Sequence, residues 1–124
     1  MYAGTAYNAY MENSVGIESP AKLIEILYEG VLRFNAQAKK AIKEGDIEKK
    51  VYWLNRSISI IMELISSLDM KQPGAISQYL EGLYNYEIQL LTEACIDFDT
   101  AKLDECTNVF KGLLEAWRET TDVA

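Results

Sequence analysis

The residue types that carry most enzymatic chemistry are scarce or poorly spaced in this chain. No histidine is present, which excludes Ser-His and Cys-His nucleophile pairs and the Glu-x-x-His motifs of di-iron bundles. Cys95 and Cys106 lack the CxxC spacing of zinc and redox sites, so we interpret them as small apolar side chains. Carboxylates at helical spacing, such as Glu25 and Glu29, lie on polar faces. The sequence therefore predicts a protein that is not an enzyme, with no metal site and no cofactor.

Composition and charge narrow the remaining classes of function. With 124 residues, 49% of them apolar and 25% charged, the chain has the character of one folded domain. Twelve basic and nineteen acidic residues give a net charge of -7, which disfavours nucleic acid and anionic membranes as partners. No apolar run approaches the roughly 20 residues that span a bilayer, and residues 1–17 do not resemble a signal peptide. We expect a cytoplasmic protein without membrane insertion.

Local signals predict the helices that must position the side chains. Ser19 can cap a first helix, Pro20 suits its first position, and Gly45 suits the left-handed residue that ends it. Asp46 caps a second helix, the MKQPG segment breaks the pattern, and Asp99 or Thr100 caps a fourth helix. The predicted helices cover about residues 20–44, 47–69, 76–98 and 100 onward.

Short connections between such long helices require antiparallel neighbours. We therefore predict an all-α fold, an antiparallel up-down-up-down four-helix bundle formed by residues 19–124. Residues 1–18 contain Tyr2, Tyr7 and Tyr10 in a stretch that begins without charge. This segment is predicted to be an N-terminal aromatic arm or a short capping helix.

The apolar faces of the predicted helices are wider than the core of one bundle needs. The predicted core stripe of the second helix is Val51, Leu54, Ile58, Ile61, Ile65 and Leu68. A second stripe on that helix is turned by about 100°, and the third helix is apolar over about half its circumference. Either neighbouring helices cover this surplus or a groove stays open for a partner. The candidate groove residues are Trp53, Ile60, Leu64, Tyr79, Leu83 and Tyr86.

Two further features within the helices need an explanation. Glu87 lies in the middle of the apolar arc of the third helix, so it should find a partner such as Asn55, Arg33 or Arg56, or lie at a groove rim. Interior glycines cost about 1 kcal/mol each relative to alanine, which suggests close helix approach, contact with a ligand backbone, or a tolerated surface position. These glycines are Gly30, Gly82 and Gly112.

Five stretches of the sequence resemble the flagellar export chaperone FliS family. They occur in the family's order and extend over nearly the whole chain. The stretches are AYNAY, SPAKLIEILYEGVLRF, LNRSISIIMELISSLD, GLYNYEIQLLTEA and LLEAWRE.

The resemblance implies a cytoplasmic chaperone that binds the disordered C-terminal segment of flagellin in surface grooves and prevents premature polymerisation. It also implies an N-terminal arm that covers part of the apolar surface until flagellin displaces it. Tyr10 and its neighbour Tyr7 are implicated in docking the loaded chaperone on the cytoplasmic domain of the flagellar export gate. A co-chaperone or regulator is a further possible partner, and the protein is expected to be a monomer or an arm-swapped dimer.

A second hypothesis from the apolar faces is a helical oligomerisation module without a flagellin client. In that case the surplus stripes pair with another copy of the chain, forming a stable homodimer. The two hypotheses differ in what covers the exposed apolar surface.

Overall fold

A computed structural model describes residues 19–71 and 75–121, and these residues form four helices without strands. The all-α prediction is confirmed. The predicted arm, including Tyr7 and Tyr10, lies outside the described residues. The helices are α1 (Pro20–Glu44), α2 (Ile47–Ser66), α3 (Ile76–Asp97) and α4 (Thr100–Thr121).

Local sequence determines both ends of α1. The Ser19 hydroxyl accepts a hydrogen bond from the backbone N–H of Lys22 at 3.2 Å. Gly45 ends the helix with φ +71°, a left-handed conformation that glycine adopts without strain. The Asp46 carboxylate then accepts from the backbone N–H of Lys49 at 3.0 Å and begins α2. The predicted boundary between the first two helices is therefore correct.

The C-terminal end of α3 is held by a buried lysine of α2. Phe98 ends the helix in the left-handed region, with φ +53°. The Lys50 ammonium group donates to the carbonyl of Cys95 and lies 3.5 Å from the centroid of the Phe98 ring. Lys50 thereby joins the beginning of α2 to the end of α3.

Each helix packs against two neighbours, in the closed order α1, α2, α3, α4 and back to α1. The Trp117 indole N–H donates to the carbonyl of Ala21 at 2.8 Å, so the end of α4 lies beside the beginning of α1. The diagonal pairs show no close backbone approach within the described residues. The face shared by α1 and α2 is therefore opposite the face shared by α3 and α4.

Aromatic side chains from three helices meet in the core. The hydroxyls of Tyr28 and Tyr84 are 2.6 Å apart and form a hydrogen bond across the bundle. The Phe110 ring meets Tyr28 edge to face at 5.8 Å and stacks on Tyr84 at 6.2 Å. Because this pair satisfies two buried hydroxyls, the tyrosines can be fully enclosed.

The core face of α2 is rotated from its predicted position. Leu54 and Ile61 are buried as expected, whereas Val51 is exposed. Ile60 and Leu64 were predicted outside the core stripe but belong to the core, with 2% and 1% of their surface exposed. The rotation is about half of the 100° step between residues. It occurs because α2 packs against both α1 and α3, which helical periodicity alone cannot specify.

A polar layer crosses this apolar core. The Asn35 amide donates to the hydroxyl of Thr107 at 3.2 Å and to the sulfur of Cys106 at 3.6 Å. The Ser57 hydroxyl in turn donates to the Asn35 carbonyl oxygen at 2.7 Å. Glu87, which is 1% exposed, supplies the α3 member of the layer. All four helices therefore contribute a polar side chain at this level.

The predicted partners of Glu87 are wrong. Among the described residues, neither Asn55 nor an arginine reaches the carboxyl group, and one of its oxygens has no hydrogen-bond partner there. Burial raises the pKa of Glu87 to about 7, although a hydrogen bond with the Cys106 thiol opposes the shift and the charge of Glu105 adds to it. The carboxyl group of the folded protein is thus protonated below about pH 7 and ionised above it.

Candidate partner-binding surface

An exposed apolar strip runs along α3. Its four residues are spaced by three, four and three positions, so they lie on one face of the helix. Ile76, Tyr79 and Tyr86 are 67%, 64% and 48% exposed, while Leu83 is half-buried between them. We call these four residues the α3 strip. Exposure of three large apolar side chains on one face is typical of a binding surface.

The α3 strip faces towards α4. The Tyr86 hydroxyl donates to the Glu105 carboxylate at 3.2 Å, and this bond raises the pKa of the Tyr86 phenol. Val109 and Leu113, both half-buried, follow Glu105 along the same side of α4 at helical spacing. We call the apolar surface formed by the strip and these two residues the α3–α4 groove.

Glycines lie beside the groove on both helices. A Cβ atom added to Gly82 of α3 or Gly112 of α4 would have no neighbour within 4 Å. Packing of the described residues therefore does not require glycine at either position. Each glycine nevertheless lowers the stability of its helix by about 1 kcal/mol relative to alanine. The bare helix surface at these points allows another chain's backbone to approach closely.

Sequence comparison identifies the family. The sequence model described as flagellar protein FliS matches residues 3–124. The chain belongs to the FliS family. A FliS of Campylobacter jejuni, described as a flagellar secretion chaperone, is 54% identical over 96% of this chain and 93% of its own length. Flagellar secretion chaperones FliS of Salmonella typhimurium and Bacillus subtilis are 30% and 33% identical, over 100% and 91% of this chain and 96% and 84% of their own lengths.

The candidate groove residues predicted from the sequence occupy three different places in this FliS protein. Tyr79, Leu83 and Tyr86 lie together on the α3 strip. Trp53 is half-buried on the α1–α2 face, where its ring stacks on Phe34 at 5.5 Å. Ile60 and Leu64, located in the core, do not lie open as a groove. A binding role for any of the six stays a prediction, and the α3 strip is the only part of the set that forms a continuous surface in the described residues.

Sequence reasoning missed some exposed residues of this FliS chain. Ile76 was not among the candidate groove residues, although its spacing to Tyr79 and Leu83 already indicated one face. A second exposed apolar set lies on α2 and consists of Ile47, Val51 and Met62. These residues are four and eleven positions apart, a spacing that already placed them on one face of the helix. The sequence did not show which of the helix faces points towards the centre of the bundle.

Two kinds of site are absent from the described parts of the chain. Residues 19–71 and 75–121 contain no group of three side chains placed to hold a metal ion. None of the helices in these ranges combines the length and apolar character needed to cross a bilayer.

Proposed function

We propose that this chain is a flagellar secretion chaperone that holds the C-terminal segment of flagellin on the α3–α4 groove. The observation that carries the proposal is the exposed α3 strip in a member of the FliS family. An amphipathic helix presents apolar side chains every three or four residues, and this spacing matches the strip. Covering the apolar face of the client would prevent it from polymerising prematurely.

The composition of the strip suits reversible binding. Tyr79 and Tyr86 each offer a large apolar ring and a hydroxyl that tolerates water, so the surface can alternate between covered and uncovered states. A transport chaperone must release its client, and a mixed apolar and polar surface favours moderate affinity. The function requires binding and release only, without covalent chemistry.

The proposal extends to location and delivery. Flagellin is made in the cytoplasm, so the chaperone acts there, and it carries its client to the cytoplasmic domain of the flagellar export gate. Tyr7 and Tyr10 are proposed to dock on the gate, with residues 1–18 as an arm that competes with flagellin for the apolar surface. The family resemblance supports both roles.

Calorimetric titration with a peptide from the flagellin C-terminus tests the client. Replacing Tyr79 and Tyr86 together by serine should weaken binding at least about ten-fold, because exposed tyrosines at an interface are frequent energetic centres. The control is Tyr52→Ser, which removes an equally exposed tyrosine from the opposite face. If wild type, the double variant and Tyr52→Ser bind the peptide with equal affinity, the α3–α4 groove is not the binding site. If wild-type protein does not bind the peptide at micromolar concentration, the C-terminal segment of flagellin is not the client.

Light scattering distinguishes this function from the oligomerisation module. The chaperone proposal predicts a chaperone–peptide complex with a 1:1 ratio of the two chains. A homodimer whose mass the flagellin peptide does not change would favour pairing of two copies through the α3 strip. The Tyr79→Ser/Tyr86→Ser variant would then become monomeric, which supplies a second readout.

A further inference from the structure

An aromatic cluster with two arginines lies on the α1–α2 face. The rings of Phe34 and Trp53 stack at 5.5 Å, and the Tyr52 ring meets Trp53 edge to face at 4.8 Å. The guanidinium carbons of Arg33 and Arg56 lie 5.2 and 4.8 Å from the centroid of the Phe34 ring. We call these five residues the Arg-aromatic cluster. Because α1 and α2 each supply an arginine, their packing fixes two positive charges beside one aromatic surface.

Neither arginine of the cluster has an acidic partner in the described residues. No carboxylate there lies within 4 Å of Arg33 or Arg56, although the chain has nineteen acidic residues. Arg118, by contrast, contacts Glu25 and Glu29 at 2.7 and 2.6 Å. The Arg56 guanidinium group donates a hydrogen bond to the Tyr52 hydroxyl at 3.4 Å. Both guanidinium groups of the cluster therefore keep hydrogen-bond donors for an external acceptor.

The cluster has the composition and exposure of an interface centre. Trp, Tyr and Arg are the side chains that most often dominate binding energy at protein interfaces. Tyr52 is 52% exposed and both arginines are exposed, whereas Phe34 is buried beneath them and Trp53 is half-buried. The buried rings hold the exposed groups in a fixed arrangement, which reduces the entropy lost on binding.

We propose that the Arg-aromatic cluster docks an acidic segment of a second protein. Carboxylates of the segment would pair with Arg33 and Arg56, because guanidinium forks match carboxylates in geometry and charge. An apolar side chain between those carboxylates would rest on Tyr52 and Trp53. Two arginines suit a short acidic segment rather than nucleic acid, because a phosphate backbone is held through many more basic contacts.

The position of the cluster gives this surface a separate role. The α1–α2 face is opposite the α3–α4 groove. A partner docked at the Arg-aromatic cluster therefore leaves the α3 strip accessible, and a client and an acidic partner can bind at the same time. This inference does not depend on flagellin being the client, because it rests on a different face of the bundle.

The test uses two tryptophans as separate reporters in a nitrogen-15 NMR titration. The probe is a short peptide with one phenylalanine flanked by glutamates, and its control has glutamines in place of the glutamates. We expect the acidic peptide at about millimolar concentration to shift the Trp53 indole signal. The Trp117 signal should stay in place, because that indole is bonded to Ala21 in the α1–α4 packing. The shift should decrease with added salt.

Matched variants decide the outcome. Arg33→Gln/Arg56→Gln should lose at least about ten-fold in affinity for the acidic peptide. The control, Lys43→Gln/Lys111→Gln, makes the same change in net charge at exposed lysines outside the cluster and should retain the wild-type affinity. Equal affinity of both double variants, or an equal response to the neutral peptide, would overturn the proposal. So would a titration in which Trp53 does not shift.

A competition experiment separates this inference from the proposed function. The Arg33→Gln/Arg56→Gln variant should bind the flagellin peptide as wild type does, and saturating flagellin peptide should not displace the acidic peptide. Loss of flagellin binding in this variant, or displacement, would show one shared surface and contradict the inference. Failure of flagellin binding to wild-type protein would contradict only the proposed function.

Discussion

Glu87 makes the stability of the bundle dependent on pH. Its carboxyl group is 1% exposed, one of its oxygens has no hydrogen-bond partner in residues 19–71 and 75–121, and burial raises its pKa from 4.5 to about 7. Below pH 4.5 the group is protonated in both folded and unfolded chains. As the pH rises from 4.5 to 7 the unfolded chain loses the proton first, so the free energy of unfolding falls. Above pH 7 the folded protein also carries the charge and the loss is complete.

The size of the effect follows from the two pKa values. Each factor of ten in proton affinity is worth about 1.4 kcal/mol, so the difference between 4.5 and about 7 corresponds to about 3 kcal/mol in total. Between pH 5 and pH 7.5 we expect the free energy of unfolding to fall by about 2 kcal/mol through this residue. Glu87→Gln should remove this fall and make the variant more stable than wild type at pH 7.5.

Urea unfolding at pH 5, 6, 7 and 7.5 and constant ionic strength measures the effect. The chain suits the experiment because it has no histidine, the side chain that usually dominates this range. Glu63 is also buried and has a pKa raised by burial, so it contributes with the same sign. The series therefore includes Glu63→Gln and the double variant. Glu119→Gln, an exposed change of the same charge, is the control.

The refuting result is specific. If Glu87→Gln and wild type lose the same free energy of unfolding between pH 5 and pH 7.5, the pKa of the Glu87 carboxyl group is not raised in the folded protein. If the fall in the free energy of unfolding disappears only in Glu63→Gln, the pH dependence comes from Glu63 on α2 and not from Glu87. A variant that is less stable than wild type at pH 5 but shows no fall between pH 5 and pH 7.5 would show that the Gln side chain fits poorly, and it would still assign the pH dependence to Glu87.

Three further changes test the packing and the groove. Tyr84→Phe leaves the buried Tyr28 hydroxyl without its partner and should lower the free energy of unfolding by about 1 to 2 kcal/mol in urea titrations, whereas equal stability would mean that water replaces the bond. Lys50→Ala removes the donor at the Cys95 carbonyl and should cost about 2 kcal/mol, visible as faster amide exchange in the last turn of α3; unchanged exchange would contradict the capping role. Gly82→Ala should raise stability by up to about 1 kcal/mol in thermal unfolding and weaken flagellin-peptide binding in calorimetry, and unchanged binding would place the client's backbone elsewhere.

The helix boundaries could be predicted because local chemistry determines them. Ser19, Gly45 and Asp46 act within a few residues of their own position, and the structure places each where capping rules require. The rotation of α2 could not be predicted in the same way. Whether Val51 or Ile60 faces the centre depends on the position of both neighbouring helices, which periodicity along one helix does not contain.

The candidate site was predictable in part for a similar reason. Tyr79 and Tyr86 were identified because an apolar arc wider than the core must leave some side chains outside it. The Arg-aromatic cluster was missed because Arg33 and Arg56 are 23 positions apart, and only the packing of α1 against α2 brings both to Phe34. Cation-π contacts between helices leave no spacing pattern in the sequence.

The hydrogen bond from Trp117 to Ala21 has a consequence for protein engineering. It places the end of the last helix beside the beginning of the first, 2.8 Å apart at the two bonded atoms. A short linker between these ends, with new termini opened at the Gly45–Asp46 turn, would preserve the packing of all four helices. A fluorescent label or affinity tag could then be attached at the opposite end of the bundle.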